Sequence, residues 1–297
     1  MRLHVQLVVS GLLQGGVYAV IALGLTLVFG VMRVINVAHG ELVMLGAYTT
    51  FWVFALWQVN PLLTLLVSIP LLFFLGMVIE RLLIARVVDQ PEVTALLLTF
   101  GLSIFLVGTA LNLWSADFRS VESPMLAGSV MPWLWLPGLG WLQVFIPKPR
   151  LISFLLSLLI TGTVFAFLKY TRTGKAIRAT AQSREVAMAC GINVRRIYTL
   201  TFGLGAALAA AGGSLISLML AIFPEMGAVL TLKSFCIIVL GGMGNYAGAF
   251  FGGLVLGLAE TYGAFYTTPQ LQEAFAYLLL ILILLLKPSG LLGVVRQ

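Results

Sequence analysis

Nine apolar runs separated by short polar or glycine-rich breaks set the pattern of this chain, covering roughly residues 6–29, 39–57, 61–83, 93–114, 151–168, 197–220, 229–240, 246–265 and 273–286. Most have the length a helix needs to cross a hydrocarbon core, about 17 to 25 residues. Helix is the expected form, because backbone polar groups in lipid must be satisfied within the segment itself. The run at 229–240 is short and reads as a crossing or a half-helix, so the pattern predicts about nine transmembrane segments, with 8–10 compatible. The expected fold is all-α, a polytopic integral membrane protein with some broken or half-helices, formed as a single membrane domain over residues 1–297.

Two breaks resemble each other. Asn36-Val-Ala-His39-Gly40-Glu41 follows the first run and Gly241-Gly242-Met-Gly244-Asn245 follows the seventh, each with glycine and polar residues where helix would continue. Irregular backbone at membrane depth persists only where protein or a water-filled cavity satisfies it. Their placement in the two halves of the chain points to an internal repeat of the kind many transporters have, although a plain turn explains either break equally well. Gly244, Gly248 and Gly252 recur every fourth residue, with Gly253 and Gly257 on an adjacent row. Such a bare face is read as a site of close helix packing. Gly11 and Gly15 give the first run the same character, and Gln14 and Tyr18 stand one turn apart on a shared side.

Ionisable residues in membrane segments are functional candidates. Glu260 is the foremost, with His39 and Glu41 near the first break; Glu225 and Lys233 are expected to flank the outer mouth. Glu260 stands alone in its run, and the simpler expectation is a residue near a helix end reaching water.

Between the fifth and sixth runs lies a basic island, residues 169–196, which holds 7 of the 17 Lys and Arg residues and one acid, Glu185. Positive charge is retained on the cytoplasmic side of a membrane, so the island is expected inside, which puts the N-terminus outside and the C-terminus inside. Ser183 is placed to cap a short helix and Gly191 to end it in a left-handed turn. A helix of about seven residues is marginal alone, which makes docking onto another protein a reason to keep it. The longest connection, residues 115–150, is then external, and its Trp133, Trp135 and Trp141 suit a membrane interface.

Composition agrees with this class: 61% of the 297 residues are apolar and 9% charged, with a mean hydropathy of +1.09. The net charge of +7 is explained by basic residues at membrane boundaries and in the island rather than by nucleic-acid binding. Cys190 and Cys236 form no metal-ligand pattern, and a disulfide between them is not expected. No G-x-x-x-x-G-K-[ST] phosphate loop occurs; Gly174-Lys175 has Lys169 where its first glycine belongs.

The run Gly11-Leu-Leu-Gln14-Gly15-Gly16-Val-Tyr18 through Asn36-Val-Ala-His39-Gly40-Glu41 to Gly46-Ala-Tyr48 resembles the opening of LivH-type permeases of branched-chain amino acid ABC importers. The resemblance continues in Thr99-Phe-Gly101-Leu-Ser103, in Thr171-Arg172-Thr-Gly174-Lys175-Ala-Ile-Arg178 through Gly191-Ile-Asn193, in Leu240-Gly241-Gly242-Met-Gly244-Asn245, and in the tail from Lys287 to Gly293; it is weakest over 115–150. It implies a bacterial inner-membrane permease working with a second, LivM-like permease, two cytoplasmic ATPases that bind ATP and Mg, and a periplasmic amino-acid-binding protein. It also implies no catalysis and no cofactor in this chain.

Glu185-Val-Ala187-Met-Ala-Cys-Gly191 is similar to the E-A-A-x-x-x-G core by which importer permeases meet their ATPases, with a departure downstream at Thr201. The resemblance thus marks Arg178, Ser183, Arg184, Glu185, Ala187, Gly191 and Asn193 as coupling residues. Gln14, Tyr18, Asn36, His39 and Asn245 are the candidate path residues. A secondary carrier or channel for small solutes is the alternative reading. A membrane-embedded enzyme fits poorly, because the acids are scattered, the two histidines are far apart and no serine or threonine has an evident base.

Overall fold

Glycine-rich as it is, the first apolar run forms one uninterrupted helix, α1 (Arg2–Met32), because its glycines are where neighbouring helices press closest. The computed structural model describes residues 2–136, 140–287 and 290. After α1 come α2 (His39–Trp57), α3 (Leu65–Leu82), α4 (Glu92–Trp114), the paired strands β1 (Ser129–Val130), β2 (Trp133–Leu136), β3 (Gly140–Gln143) and β4 (Ile146–Pro147), and α5 (Lys148–Tyr170). The second half holds α6 (Arg172–Gln182), α7 (Arg184–Ala189), α8 (Val194–Ile216), α9 (Met226–Gly241), α10 (Tyr246–Tyr266) and α11 (Gln272–Leu286).

Among the described residues, seven helices are long and apolar enough to span a bilayer: α1, α2, α3, α4, α5, α8 and α10. The apolar α9 and α11 are shorter, at 16 and 15 residues, or about 24 and 22 Å at 1.5 Å per residue. The nine apolar runs therefore all form helices. Pro61, expected to open the third, sits instead in a turn before Leu65.

Helices α1 and α8 form the centre, each 89% buried along its apolar span, whereas α4 is 17% buried and faces outward. With lipid as apolar as leucine, close packing rather than hydrophobic transfer holds such helices together. Residues without side chains permit that approach: a Cβ on Gly257 would lie 2.4 Å from the Gly11 carbonyl oxygen, and one on Gly15 would lie 2.6 Å from that of Gly253. The α1–α10 crossing is thus backbone against backbone.

The connection at 115–150, for which no element was expected, carries two small antiparallel ladders, β1 with β4 and β2 with β3. The side chains of Trp133, Trp135 and Trp141 lie outside what is described, as do Arg296 and the tail motif apart from Lys287 and Gly290. Arg119 ties this connection to the bundle. It exchanges backbone hydrogen bonds with Ile222, donates from Nη2 to the Trp114 carbonyl at 2.8 Å, and lies over the rings of Phe51 and Trp52 at 5.2 and 5.1 Å.

Candidate functional site

Three arrangements of polar residues stand out from the apolar bundle. The first is where the chain returns after α1. The segment 33–38 runs back along α1, so that His39 Nε2 lies 2.9 Å from the carbonyl oxygen of Ile21, about 16 Å up α1 from its end at Met32. Helix α2 therefore begins deep in the bundle. Its free backbone groups are satisfied by hydroxyls of other helices. Val37 N–H donates to Thr99 Oγ1 of α4 at 3.2 Å, and Gly40 N–H to Thr231 Oγ1 of α9 at 2.8 Å, while the Thr231 hydroxyl donates to the Val37 carbonyl at 3.1 Å.

Side chains here are less well served. Asn36, His39 and Glu41 are each no more than 1% exposed. Glu41 Oε1 accepts from the Ser103 hydroxyl at 2.8 Å, yet Glu41 Oε2, His39 Nδ1 and both amide atoms of Asn36 meet no hydrogen-bond partner among the described residues. The Glu41 carboxylate rests on the first turn of α9, where a Cβ on Gly227 would lie 1.7 Å from Oε2.

The second arrangement binds α1, α9, α10 and α11. Lys233 Nζ lies 2.9 Å from Glu260 Oε1 and donates to Oε2 at 3.1 Å. The Tyr18 hydroxyl donates to Glu260 Oε2 at 3.0 Å and accepts from Gln14 Nε2 at 2.6 Å and Lys233 Nζ at 3.1 Å. Gln272 Nε2 donates a further hydrogen bond to Oε2 at 3.1 Å. Glu260 is 0% exposed and Lys233 7%, which corrects two expectations: Glu260, alone in its run but paired with Lys233 of α9, does not reach water, and Lys233 does not flank a mouth. Each satisfies the other's charge, the condition for burying an ion pair. Glu225 is exposed.

The third is the island. Ser183 Oγ accepts from Val186 N–H at 3.3 Å and opens α7, and the Gly191 φ of +79° lets the chain turn back, its N–H bonded to the Met188 carbonyl at 2.9 Å. Asn193 then caps α8 through Arg196 N–H at 3.1 Å. Ala187 is buried, while Glu185, Val186 and Met188 face out, the last two 63% and 48% exposed. Arg184 pairs with Asp89 in the α3–α4 turn and stacks over Tyr198 at 5.7 Å. That hydrogen bond holds the Asp89 carboxyl below the usual carboxylate range. Before α7, the island forms a further helix that was not expected, α6, capped by Thr171 Oγ1 accepting from Gly174 N–H at 2.9 Å.

The candidate path residues are thus divided. Gln14 and Tyr18 join the Lys233–Glu260 cluster, Asn36 and His39 belong to the α2 break, and Asn245 sits apart. Asn245 caps α10 through Gly248 N–H at 3.0 Å and lines a cleft of about 680 Å³ with Arg33, Arg178, Gln182 and Tyr246. Of the glycine row, Gly248 and Gly252 meet α9: a Cβ on Gly248 would lie 1.9 Å from the Gly241 carbonyl oxygen, and one on Gly252 2.8 Å from that of Ile237. Gly244 precedes the helix, in a turn at φ +80°, and faces α1 instead of α9: a Cβ on Gly30 would lie 3.3 Å from the Gly244 Cα. Sequence spacing singled out neither Ser103, Gln272 and Asp89 nor the Lys233–Glu260 pairing, since every partner comes from a different element of the fold.

Nine apolar helices around a buried polar interior, with a capped helix in a basic surface segment, define a multi-pass helical membrane protein. Residues 7–284 match the family described as "Branched-chain amino acid transport system / permease component", and the chain belongs to that family. It is 34% identical to the high-affinity branched-chain amino acid transport system permease protein LivH of Escherichia coli K12, over 96% of this chain and 94% of that protein. It is equally 34% identical to the corresponding permease protein BraD of Pseudomonas aeruginosa, over 98% and 96%. Identity is 24% to a probable branched-chain amino acid transport permease protein LivH of Methanocaldococcus jannaschii, over 96% and 91%. A solved structure, PsaBC from Streptococcus pneumoniae in complex with Fab, shares the fold at a TM-score of 0.50 and 12% identity, covering 94% of this chain and 91% of that one.

Proposed function

We propose that this chain is the membrane permease subunit of an ATP-binding-cassette importer that moves branched-chain or other apolar amino acids across the bacterial inner membrane. The observation that carries the coupling part of this reading is α7. A six-residue helix, fixed at one end by Ser183 and at the other by Gly191, presents Val186 and Met188 outward from a basic surface. Apolar side chains on a helix too short to stand alone fit a protein partner, here two cytoplasmic ATPases that bind ATP and Mg. The permease itself carries out no catalysis.

The island's charge supports a cytoplasmic position for α6 and α7, which places the N-terminus in the periplasm, the C-terminus in the cytoplasm and the β-ladder connection where a periplasmic binding protein docks. The outward apolar face of α4 suits lipid and a second, LivM-like permease. Rocking of the two permeases, driven through α7, then alternates access to the polar interior; in this reading the whole chain is one permease domain.

The test is co-purification. The wild-type chain should bring down its two ATPases, and Gly191→Pro, which cannot adopt a φ of +79°, should release them while the chain still inserts. ATPases retained by Gly191→Pro, with undiminished uptake, would sink the role given to α7.

A further inference from the structure

We propose that Glu41 is the residue that receives the ammonium group of the transported amino acid, at the junction where α2 and α9 begin. The inference rests on the importer reading and deepens it. The carboxylate is 1% exposed; Ser103 satisfies one oxygen at 2.8 Å, and the other oxygen has no partner among the described residues. The buried cation of α9, Lys233, is committed to Glu260. Among the described residues Glu41 is therefore a membrane-interior carboxylate with no ion-pair partner, an arrangement that is costly unless a cation or a proton completes it.

Its position fits a station on a path. Ser103, its partner, lies about 16 Å along α4 from the start of that helix, so the carboxylate is near mid-depth. Two helix starts meet there: a Cβ on Gly40 would lie 1.8 Å from the Gly227 carbonyl oxygen. Gly227, the second residue of α9, is bare where the carboxylate rests. Broken helices near the midplane form transporter sites, their starts facing a solute's anionic group, so at this junction the ammonium falls to the Glu41 carboxylate rather than to the helix ends. Movement of α9 away from α2 uncovers Glu41 Oε2. Asn36, five residues before Glu41 and buried with both amide atoms unpartnered among the described residues, offers a donor suited to the solute's carboxylate and an acceptor suited to its ammonium. This chemistry selects zwitterionic amino acids over neutral amides or urea.

The test uses the complete complex in proteoliposomes, with radiolabelled leucine uptake and binding-protein-stimulated ATP hydrolysis measured together. Glu41→Gln keeps the size of the side chain and removes its charge. It should lower leucine imported per ATP hydrolysed by about tenfold or more, with stimulated hydrolysis within about twofold of wild type and Glu41→Asp in between. An unchanged ratio in Glu41→Gln would mean that a proton had satisfied the carboxylate, and a parallel loss of uptake and hydrolysis would make its role structural; either overturns the proposal.

Should Glu41→Gln fail to assemble, the wild-type complex decides. Without binding protein, in nanodiscs, it should bind leucine saturably, displaced by leucinamide, which keeps the ammonium, and not by 4-methylpentanoate, which lacks it. Displacement by both, or no saturable binding, overturns the proposal. A wild-type complex that imports no amino acid overturns the importer reading itself, a separate failure.

Discussion

Lys233 and Glu260, 27 residues apart, form an ion pair of 2.9 Å inside the bundle, with side chains 9% and 0% exposed. With the Tyr18 hydroxyl they fasten α1, α9 and α10 at a single point. Removing one partner leaves the other buried and uncompensated, at a cost of about 3 to 5 kcal/mol, whereas replacing both with apolar residues is often neutral. Glu260→Gln and Lys233→Met should each lower the thermal unfolding midpoint of the purified complex, and the double variant Lys233→Met/Glu260→Leu should recover most of the loss. A double variant no more stable than either single one would show that the pair is not the unit.

Glycines in this chain divide by what faces them. A Cβ on Gly248 meets the Gly241 backbone, and one on Gly257 meets that of Gly11 and Gly15, whereas Gly162 of α5 has nothing within 4 Å. Overpacking costs about 1 to 3 kcal/mol, and glycine-to-alanine in an unobstructed helix gains roughly 0.5 to 1 kcal/mol. Gly248→Ala and Gly257→Ala should therefore destabilise in thermal unfolding, and Gly162→Ala should be neutral or slightly stabilising. The reverse order would refute the packing account.

The Arg184–Asp89 pair is exposed, with side chains at 41% and 60%, so its stabilising contribution is about 0 to 1 kcal/mol and is screened by salt. The Asp89 carboxyl is held below its ordinary range by that hydrogen bond. Its contribution is thus present above the ordinary carboxylate pKa of about 4 and is lost as pH falls through the lowered value. Asp89→Asn should leave the unfolding midpoint nearly unchanged at neutral pH and abolish the low-pH loosening of α7, measured by hydrogen exchange of residues 184–189. Equal low-pH exchange in wild type and Asp89→Asn would contradict this.

Ser183→Ala removes the cap of a helix of six residues, a loss of about 1 kcal/mol. Amide exchange in α7 should speed up several-fold while α8, capped separately by Asn193, keeps its protection. Unchanged protection of α7 would show that its contacts, not its cap, hold it.

Hydropathy made the apolar helices legible, since a run of about 20 apolar residues has few other uses. Ser183 and Gly191 made α7 legible because cap chemistry is local. Helix α6 was not, because its charges concealed an inward row of Gly174, Ile177 and Thr180 at three-residue spacing. The β2–β3 pairing was hidden in a segment read as an external connection whose tryptophans suit a membrane interface. The polar interior was legible only in fragments. Gln14 with Tyr18 stood out as polar residues in an apolar run, and Asn36 with His39 as part of the break that follows it. Lys233 with Glu260, and Glu41 with Ser103, are brought together only by helix packing, which single-chain periodicity does not encode.

The central claim is tested most directly by uptake of radiolabelled leucine into proteoliposomes that hold this chain with its co-purifying partners, with and without internal ATP and the binding protein. The importer account predicts uptake only when both are present. Robust uptake by this chain alone, independent of ATP, would contradict it and establish a carrier.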